Sequence, residues 1–186
     1  MSSADEPHPS TAAVPAVPAV PAVTIRSATA ADAADLARIH LDSRAATMPY
    51  LPPQRRTAEE VAAWFGSVVL RTCRVWVAVR AAESSRRLDT VGYAAVDGDL
   101  LEHLYLRPDV RRQGIGTLLL DAAKRHSPHG LSLHVFQQNT EARAFYTRHG
   151  FRTLDTSDGA RNMEHLPDMT LRWDGGATPP TAERRA

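Results

Sequence analysis

The sequence predicts an α/β domain in which a mixed, mostly antiparallel sheet carries helices on both faces. Three observations lead there. Short runs rich in Val, Leu and aromatic residues alternate with longer segments whose apolar residues recur at i, i+3 and i+4. The turn Asp97-Gly98-Asp99 joins two of those runs as an antiparallel hairpin. The stretch Leu104–Thr117 passes without interruption from strand, through an arginine- and glycine-rich loop, into the start of a helix.

A short strand is expected near Val23–Ser27, followed by a helix opened by Thr29-x-x-Asp32, with Ala33, Leu36 and Ile39 or His40 along one face. After the prolines at 52 and 53, Thr57-x-x-Glu60 caps a second helix. Its Val61, Trp64, Phe65, Val68 and Val69 form an apolar stripe turned to a core. Strands are then predicted at about Cys73–Arg80, Asp89–Val96 and Leu100–Arg107. A helix over Gly116–His126 follows, lined by Ile115, Leu118, Leu119, Ala122 and Ala123 and stopped before Pro128. A strand at Leu131–Phe136, a helix from Asn139 to His149 closed by Gly150, and strands near Phe151–Asp155 and Asp168–Trp173 complete the order β-α-α-β-β-β-α-β-α-β-β.

Residues 23–173 thus read as one domain between two tails. Residues 1–22 are Ser, Pro and Ala-Val-Pro repeats, which favour an extended, flexible chain over a packed element. Residues 174–186, with two glycines, two prolines and a basic end, read as a second disordered tail. With 186 residues, 43% of them hydrophobic, the chain can bury a sizeable core. Its 22 Lys+Arg against 21 Asp+Glu give no overall pull toward nucleic acid or membrane, so any attraction for an anion must be local. No apolar stretch reaches the roughly 18 residues of a membrane span, and Asp5, Glu6 and several prolines argue against a secretory signal. Cys73 is the only cysteine, so an internal disulfide is excluded; the reading is a buried filler in a cytoplasmic protein.

Arg111-x-x-Gly114-x-Gly116 is an anion-binding device. Glycines let main-chain N–H groups turn inward, and a helix beginning at Gly116 or Thr117 adds the positive end of its dipole. The predicted ligand carries phosphate.

Together with Asn139-Thr140-Glu141-Ala142-Arg143-Ala144-Phe145-Tyr146-Thr147-Arg148-His149-Gly150-Phe151 downstream, this loop resembles the GCN5-related N-acetyltransferase (GNAT) superfamily. The resemblance covers most of residues 23–173. It implies a GNAT-type domain with a splayed central strand pair and acetyl-CoA as cofactor. By this resemblance Leu104, Tyr105 and Leu106 lie on the strand that offers main-chain groups to the pantetheine arm. Arg112, Gln113, Gly114, Ile115, Gly116 and Thr117 would wrap the pyrophosphate. Arg111 and Arg112 either add charge pairs to phosphate or are solvated loop arginines. Asn139 is either a helix N-cap or a contact to the pantetheine arm, and the two roles are compatible. Phe145 and Tyr146 point about 100° apart on one helix, so one packs while the other faces the cofactor. The family's matching tyrosine is the general acid for the leaving thiolate, which assigns that role to Tyr146 here.

The acceptor amine must lose a proton before it attacks. Glu102 at the start of the central strand is the best carboxylate, with His103 and a water chain as alternatives. Period-two alternation sets Glu102, Leu104 and Leu106 on one face and His103 and Tyr105 on the other. His126 and His129 read as solvent-exposed and His134 as a satisfied core residue, and no metal site is expected. Met48, Tyr50 and Trp64 are candidate apolar walls of the acceptor pocket; Asp42, Glu164 and Asp168 could attract a cationic amine there, and His165 could border it. The reading is an acetyl-CoA-dependent N-acetyltransferase acting by direct transfer in a ternary complex on a small-molecule or peptide amine. The alternatives are a non-catalytic coenzyme A-binding domain of the same fold and a generic nucleotide-binding α/β protein, and a homodimer is left open.

Overall fold

A computed structural model describes residues 22–81 and 88–176. The two expected tails, apart from Ala22 and residues 174–176, lie outside the described residues.

Seven strands form one sheet in the order β1-β2-β3-β4-β5-β7-β6. They are β1 (Val23–Ser27), β2 (Arg74–Ala81), β3 (Leu88–Asp97), β4 (Leu100–Leu106), β5 (Leu131–Phe136), β6 (Arg152–Ser157) and β7 (Asp168–Trp173). Every pairing is antiparallel except β4 with β5, which is parallel and registers only at Leu100↔Ser132. Beyond that point the two strands splay, as the family resemblance implies.

The helices cover both faces. α1 (Ala33–Thr47) and α2 (Ala58–Trp64), with the turn that follows it, bury Leu36, Ile39, Val61 and Phe65 against Val77, Val79 and Tyr93 of the sheet. α4 (Ile115–His126) and α5 (Thr140–Arg148) lie on the other side, where Leu119, Leu120 and Tyr146 pack with Val91, Leu133 and Leu171. At 25 cal/mol per Å², such fully buried side chains each contribute about 1.5–3 kcal/mol of transfer free energy.

Local chemistry explains the helix starts. At α2 the Glu60 amide donates to Thr57 Oγ1 at 3.2 Å and the Thr57 amide donates to Glu60 Oε2 at 2.8 Å, a reciprocal capping box. Before α1, buried Asp32 accepts from the Thr29 amide at 2.7 Å and from both terminal nitrogens of Arg26 at 2.7 and 2.9 Å. The Arg26 guanidinium holds the Asp32 carboxyl at about 2, well below its ordinary value.

Four expectations need correction. Val68 is exposed because α2 runs into a π turn (Phe65–Val69) before the short α3 (Leu70–Thr72). The extra residue of that wider turn rotates Val68 outward while Val61, Phe65 and Val69 stay buried. On α4 the buried positions centre on Leu119 and Ala123, so Leu118 lies about a third of a turn off the core face and Leu120 takes its place. His134 is exposed: β5 alternates buried Leu131, Leu133 and Val135 with outward Ser132, His134 and Phe136. Cys73 is half-buried rather than fully buried, just before β2.

Candidate active site

The splay between β4 and β5 opens into a groove of about 1020 Å³. From Leu101 to Leu106, β4 pairs with β3 on one side and has no registered partner in β5 on the other. Main-chain groups on that open edge are free to pair with an extended, amide-bearing ligand. Leu104 and Leu106 pack toward the α4/α5 face, whereas Tyr105 packs toward α1 and α2; all three line the groove. Opposite Leu106, a Cβ on Gly92 would collide with Leu106 Cδ2 and stand 3.0 Å from the Tyr105 carbonyl oxygen, so the glycine makes room for the Leu106 side chain there.

One end of the groove is the glycine loop. Gly114 is the N-cap of α4 with φ 81°, the left-handed region that favours glycine, and a Cβ there would meet nothing within 4 Å. The helix starts at Ile115, one residue before the expected Gly116. The Thr117 and Leu118 amides donate to the Gly114 carbonyl at 3.1 and 3.2 Å, which leaves those of Ile115 and Gly116 heading the helix. An open left-handed turn, two leading amides and an unpaired strand edge fit a phosphate joined to an amide-bearing arm.

The arginines beside this loop are already engaged. Arg111 and Arg112 both donate to Glu141 in the first turn of α5, Arg112 at 3.1 Å. These guanidinium groups hold the Glu141 carboxyl below its usual range. Arg107 is turned to Asp109 at 2.9 Å and to Asp89 at 3.7 Å. Any phosphate drawing on Arg111 and Arg112 would have to compete with Glu141 for them.

Of the residues singled out in the sequence, Glu102, Leu104, Tyr105, Leu106, Arg111, Arg112, Gly114, Gly116, Thr117, Asn139, Phe145 and Tyr146 line the groove together. Ile115 and Gln113 do not. Ile115 is buried in the core and can offer only its amide, and Gln113 donates to the Asp109 carbonyl at 3.4 Å. Asn139 is the N-cap of α5, its side chain accepting from the Ala142 amide at 3.1 Å. Tyr146 is 8% exposed at the groove wall, and burial raises its pKa, so the phenol keeps its proton at neutral pH.

Glu102 departs from simple alternation. The β3–β4 register slips between Ala95↔His103 and Val96↔Leu101, so Glu102 is the extra residue of a β-bulge. Leu101 takes the core position on the face of Leu104 and Leu106, and exposed Glu102 lines the groove. His103 packs among Trp64, His40 and Tyr105 on the other face, where burial lowers its pKa to about 4. An imidazole so disposed is a poor base, and it does not line the groove.

The other end of the groove is walled by Ser43, Thr47 and Met48 of α1 and its C-cap, by Phe136, and by the loop before β7 with Arg161, Asn162, Glu164 and Asp168. Asn162 organises this loop, donating to the Leu166 carbonyl at 2.7 Å and to Asp168 at 3.0 Å. Tyr50, Trp64, Asp42 and His165 are not part of the wall. Sequence reasoning missed His149, Glu141 and Asp155; it also misplaced His134, which lines the groove and whose outward position the alternation of β5 signals.

A family model described as an acetyltransferase (GNAT) domain matches residues 71–153. Peptidyl-lysine N-acetyltransferase YjaB of Escherichia coli K12 is 30% identical over 141 residues, covering 75% of this chain and 89% of that protein. The chain belongs to the GNAT superfamily. The YjaB protein of Salmonella typhimurium is 37% identical over 84 residues, but that match spans only 54% of it. Among solved structures, apo YjaB from E. coli superposes with a TM-score of 0.64 at 27% identity, covering 83% of this chain and 99% of that one. YncA of S. typhimurium, solved with its cofactor acetyl-CoA, shares the fold at a TM-score of 0.62 and 20% identity, covering 86% and 98%. As a GNAT domain, this chain is an acyltransferase that depends on acetyl-CoA.

Proposed function

We propose that this protein is an N-acetyltransferase that moves the acetyl group directly to the ε-amine of a lysine in a peptide or protein, with both substrates bound at once. The observation that carries the reading is the gap between β4 and β5, whose walls bring together the α4 N-terminus, Tyr146 and the carboxylates of Glu102, Asp155, Glu164 and Asp168. When bound, acetyl-CoA supplies a thioester open to attack by an amine. The amides of Ile115 and Gly116 and the open edge of β4 would hold it.

Glu102 takes the proton that the acceptor ammonium must lose, and it is suited to this by its exposed place on the bulge. Tyr146 holds a proton at its hydroxyl for the departing sulfur; because burial raises the phenol above its ordinary value, the transfer relies on a direct hydrogen bond to the sulfur as its bond to the acetyl carbon breaks. Glu102, Asp155, Glu164 and Asp168 surround the acceptor end, against Arg161 and an Arg44 that already pairs with Glu164 at 3.3 Å. That balance attracts a cationic amine. The relatives named as peptidyl-lysine acetyltransferases favour lysine over other amines. A cytoplasmic setting accords with the single free Cys73.

The test is a panel of lysine peptides, α-amine peptides and small amines, read by mass spectrometry together with coenzyme A release. Nε-acetylated peptide is expected, with intersecting initial-rate lines and no acetyl-enzyme. Tyr146→Phe should lower kcat by about 10²–10⁴-fold at nearly unchanged acetyl-CoA affinity. Coenzyme A binding without transfer to any amine would instead favour the non-catalytic domain.

A further inference from the structure

We propose that His149 is a positioning residue for the cofactor: it struts the first turn of α4 against the last turn of α5 and so fixes the amides that receive phosphate. The proposal rests on the acetyl-CoA reading of the groove. His149 is the C-cap of α5 and lines the phosphate end. Its Nδ1 lies 2.8 Å from the Phe145 carbonyl, and its Nε2 lies 3.1 Å from Thr117 Oγ1.

These two contacts settle the proton positions of the neutral ring. A carbonyl can only accept, so Nδ1 carries the hydrogen; Nε2 then has a lone pair, and the Thr117 hydroxyl must donate to it. Thr117 has one hydroxyl proton, and it is spent on His149. The hydroxyl is therefore a strut, while the phosphate is met by the main chain of the loop.

The strut closes a small ring of contacts. The Phe145 ring lies against the imidazole with centroids 4.3 Å apart, and its edge stands 3.4 Å from where a Cβ on Gly116 would be. Two turns further along α4, Lys124 Nζ donates to the His149 carbonyl at 2.6 Å, with its ammonium 4.6 Å from the Trp173 ring. Lys124 is the only lysine in the sequence. One residue thus joins α5 to α4 at two points, through its ring at Thr117 and through its carbonyl at Lys124. Thr117 stands two residues beyond Ile115 and one beyond Gly116, the two leading amides.

The experiment is a double-mutant cycle on coenzyme A affinity, measured by titration calorimetry with wild type, Thr117→Val, His149→Phe and the pair. Each single change should weaken binding on the order of fivefold, and the double variant should be no weaker than either, because both remove the same strut. Thr117→Ser, which keeps the hydroxyl, should bind as wild type. In turnover the loss in Thr117→Val should fall on KM for acetyl-CoA rather than on kcat. Thr117→Val and Thr117→Ser carry the test even where His149→Phe folds poorly. If wild type binds coenzyme A and Thr117→Val stays within about twofold of it, or the two losses simply add, the strut is overturned alone. A wild-type protein that binds no coenzyme A would overturn the cofactor reading as well.

Discussion

Two imidazoles, one buried and one half-buried, make the stability of this protein depend on pH in a defined direction. His40 is 8% exposed, with Nδ1 3.0 Å from the Tyr93 hydroxyl, and burial, with smaller effects from His103 and Arg44, lowers its pKa to about 3. His103 beside it falls to about 4 by burial and the Arg44 charge. An unfolded chain protonates both near 6.5, so between about 6.5 and 4 it binds more protons than the folded one. The stabilisation is therefore complete above about 6.5 and is lost as pH falls toward 4 and 3. Asp32 acts in the same direction but lower, since its depressed value is felt only below about 4. Urea unfolding should show lower stability at pH 5 than at pH 7, with His40 alone accounting for about 2 kcal/mol at most. His103→Phe, which keeps an aromatic ring in the cluster, should shrink that loss; an unchanged pH dependence would mean that His103 is charged in the folded state.

The glycine loop shows how much of an element can be read from residue type. Its strand, turn and helix were legible because Gly114 and Gly116 stand where a left-handed turn and a helix start need small residues, and because Pro108 and Pro128 bound the segment. The capping boxes at Thr29 and Thr57 were legible for a similar reason, since the four residues that build each are contiguous. What escaped notice depends on partners far apart in the chain. A β-bulge adds one residue without changing composition, so nothing local announces that Glu102 leaves the face of Leu104. The π turn that exposes Val68 is equally silent. Arg111 and Arg112 find Glu141 only once α5 is docked beside the loop. Gly114→Val places a β-branched side chain at φ 81° and into the open space before the Ile115 amide. It should weaken coenzyme A binding at least tenfold and cost about 1–3 kcal/mol of stability. Calorimetry and thermal unfolding would separate the two effects, and wild-type affinity in a folded Gly114→Val protein would remove the loop from the phosphate site.

Across the whole molecule the sheet behaves as two parts, β1 to β4 and β5 to β6, joined in register at Leu100↔Ser132. The cores differ in kind as well: α1 and α2 pack on the first part alone, whereas α4 and α5 reach residues from both. A ligand seated in the gap gives the open edge of β4 a partner and touches the α4 loop and the β5 side at once, so it should tie the parts together. Binding only to the folded state adds about 2.7 kcal/mol at a hundredfold excess over Kd. Acetyl-CoA should therefore raise Tm, and a pantetheine derivative lacking the pyrophosphate should raise it much less, because it leaves the Ile115 and Gly116 amides unpaired. Hydrogen exchange should locate the effect: amides of Leu104 and Leu106 on β4 and of the α4 start should slow on binding, while those of β1 and β2, remote from the gap, should change little. Equal stabilisation by the truncated compound would show that the phosphate end contributes nothing. Slowed exchange confined to β1 and β2 would place the ligand elsewhere and leave the β4–β5 gap without its role.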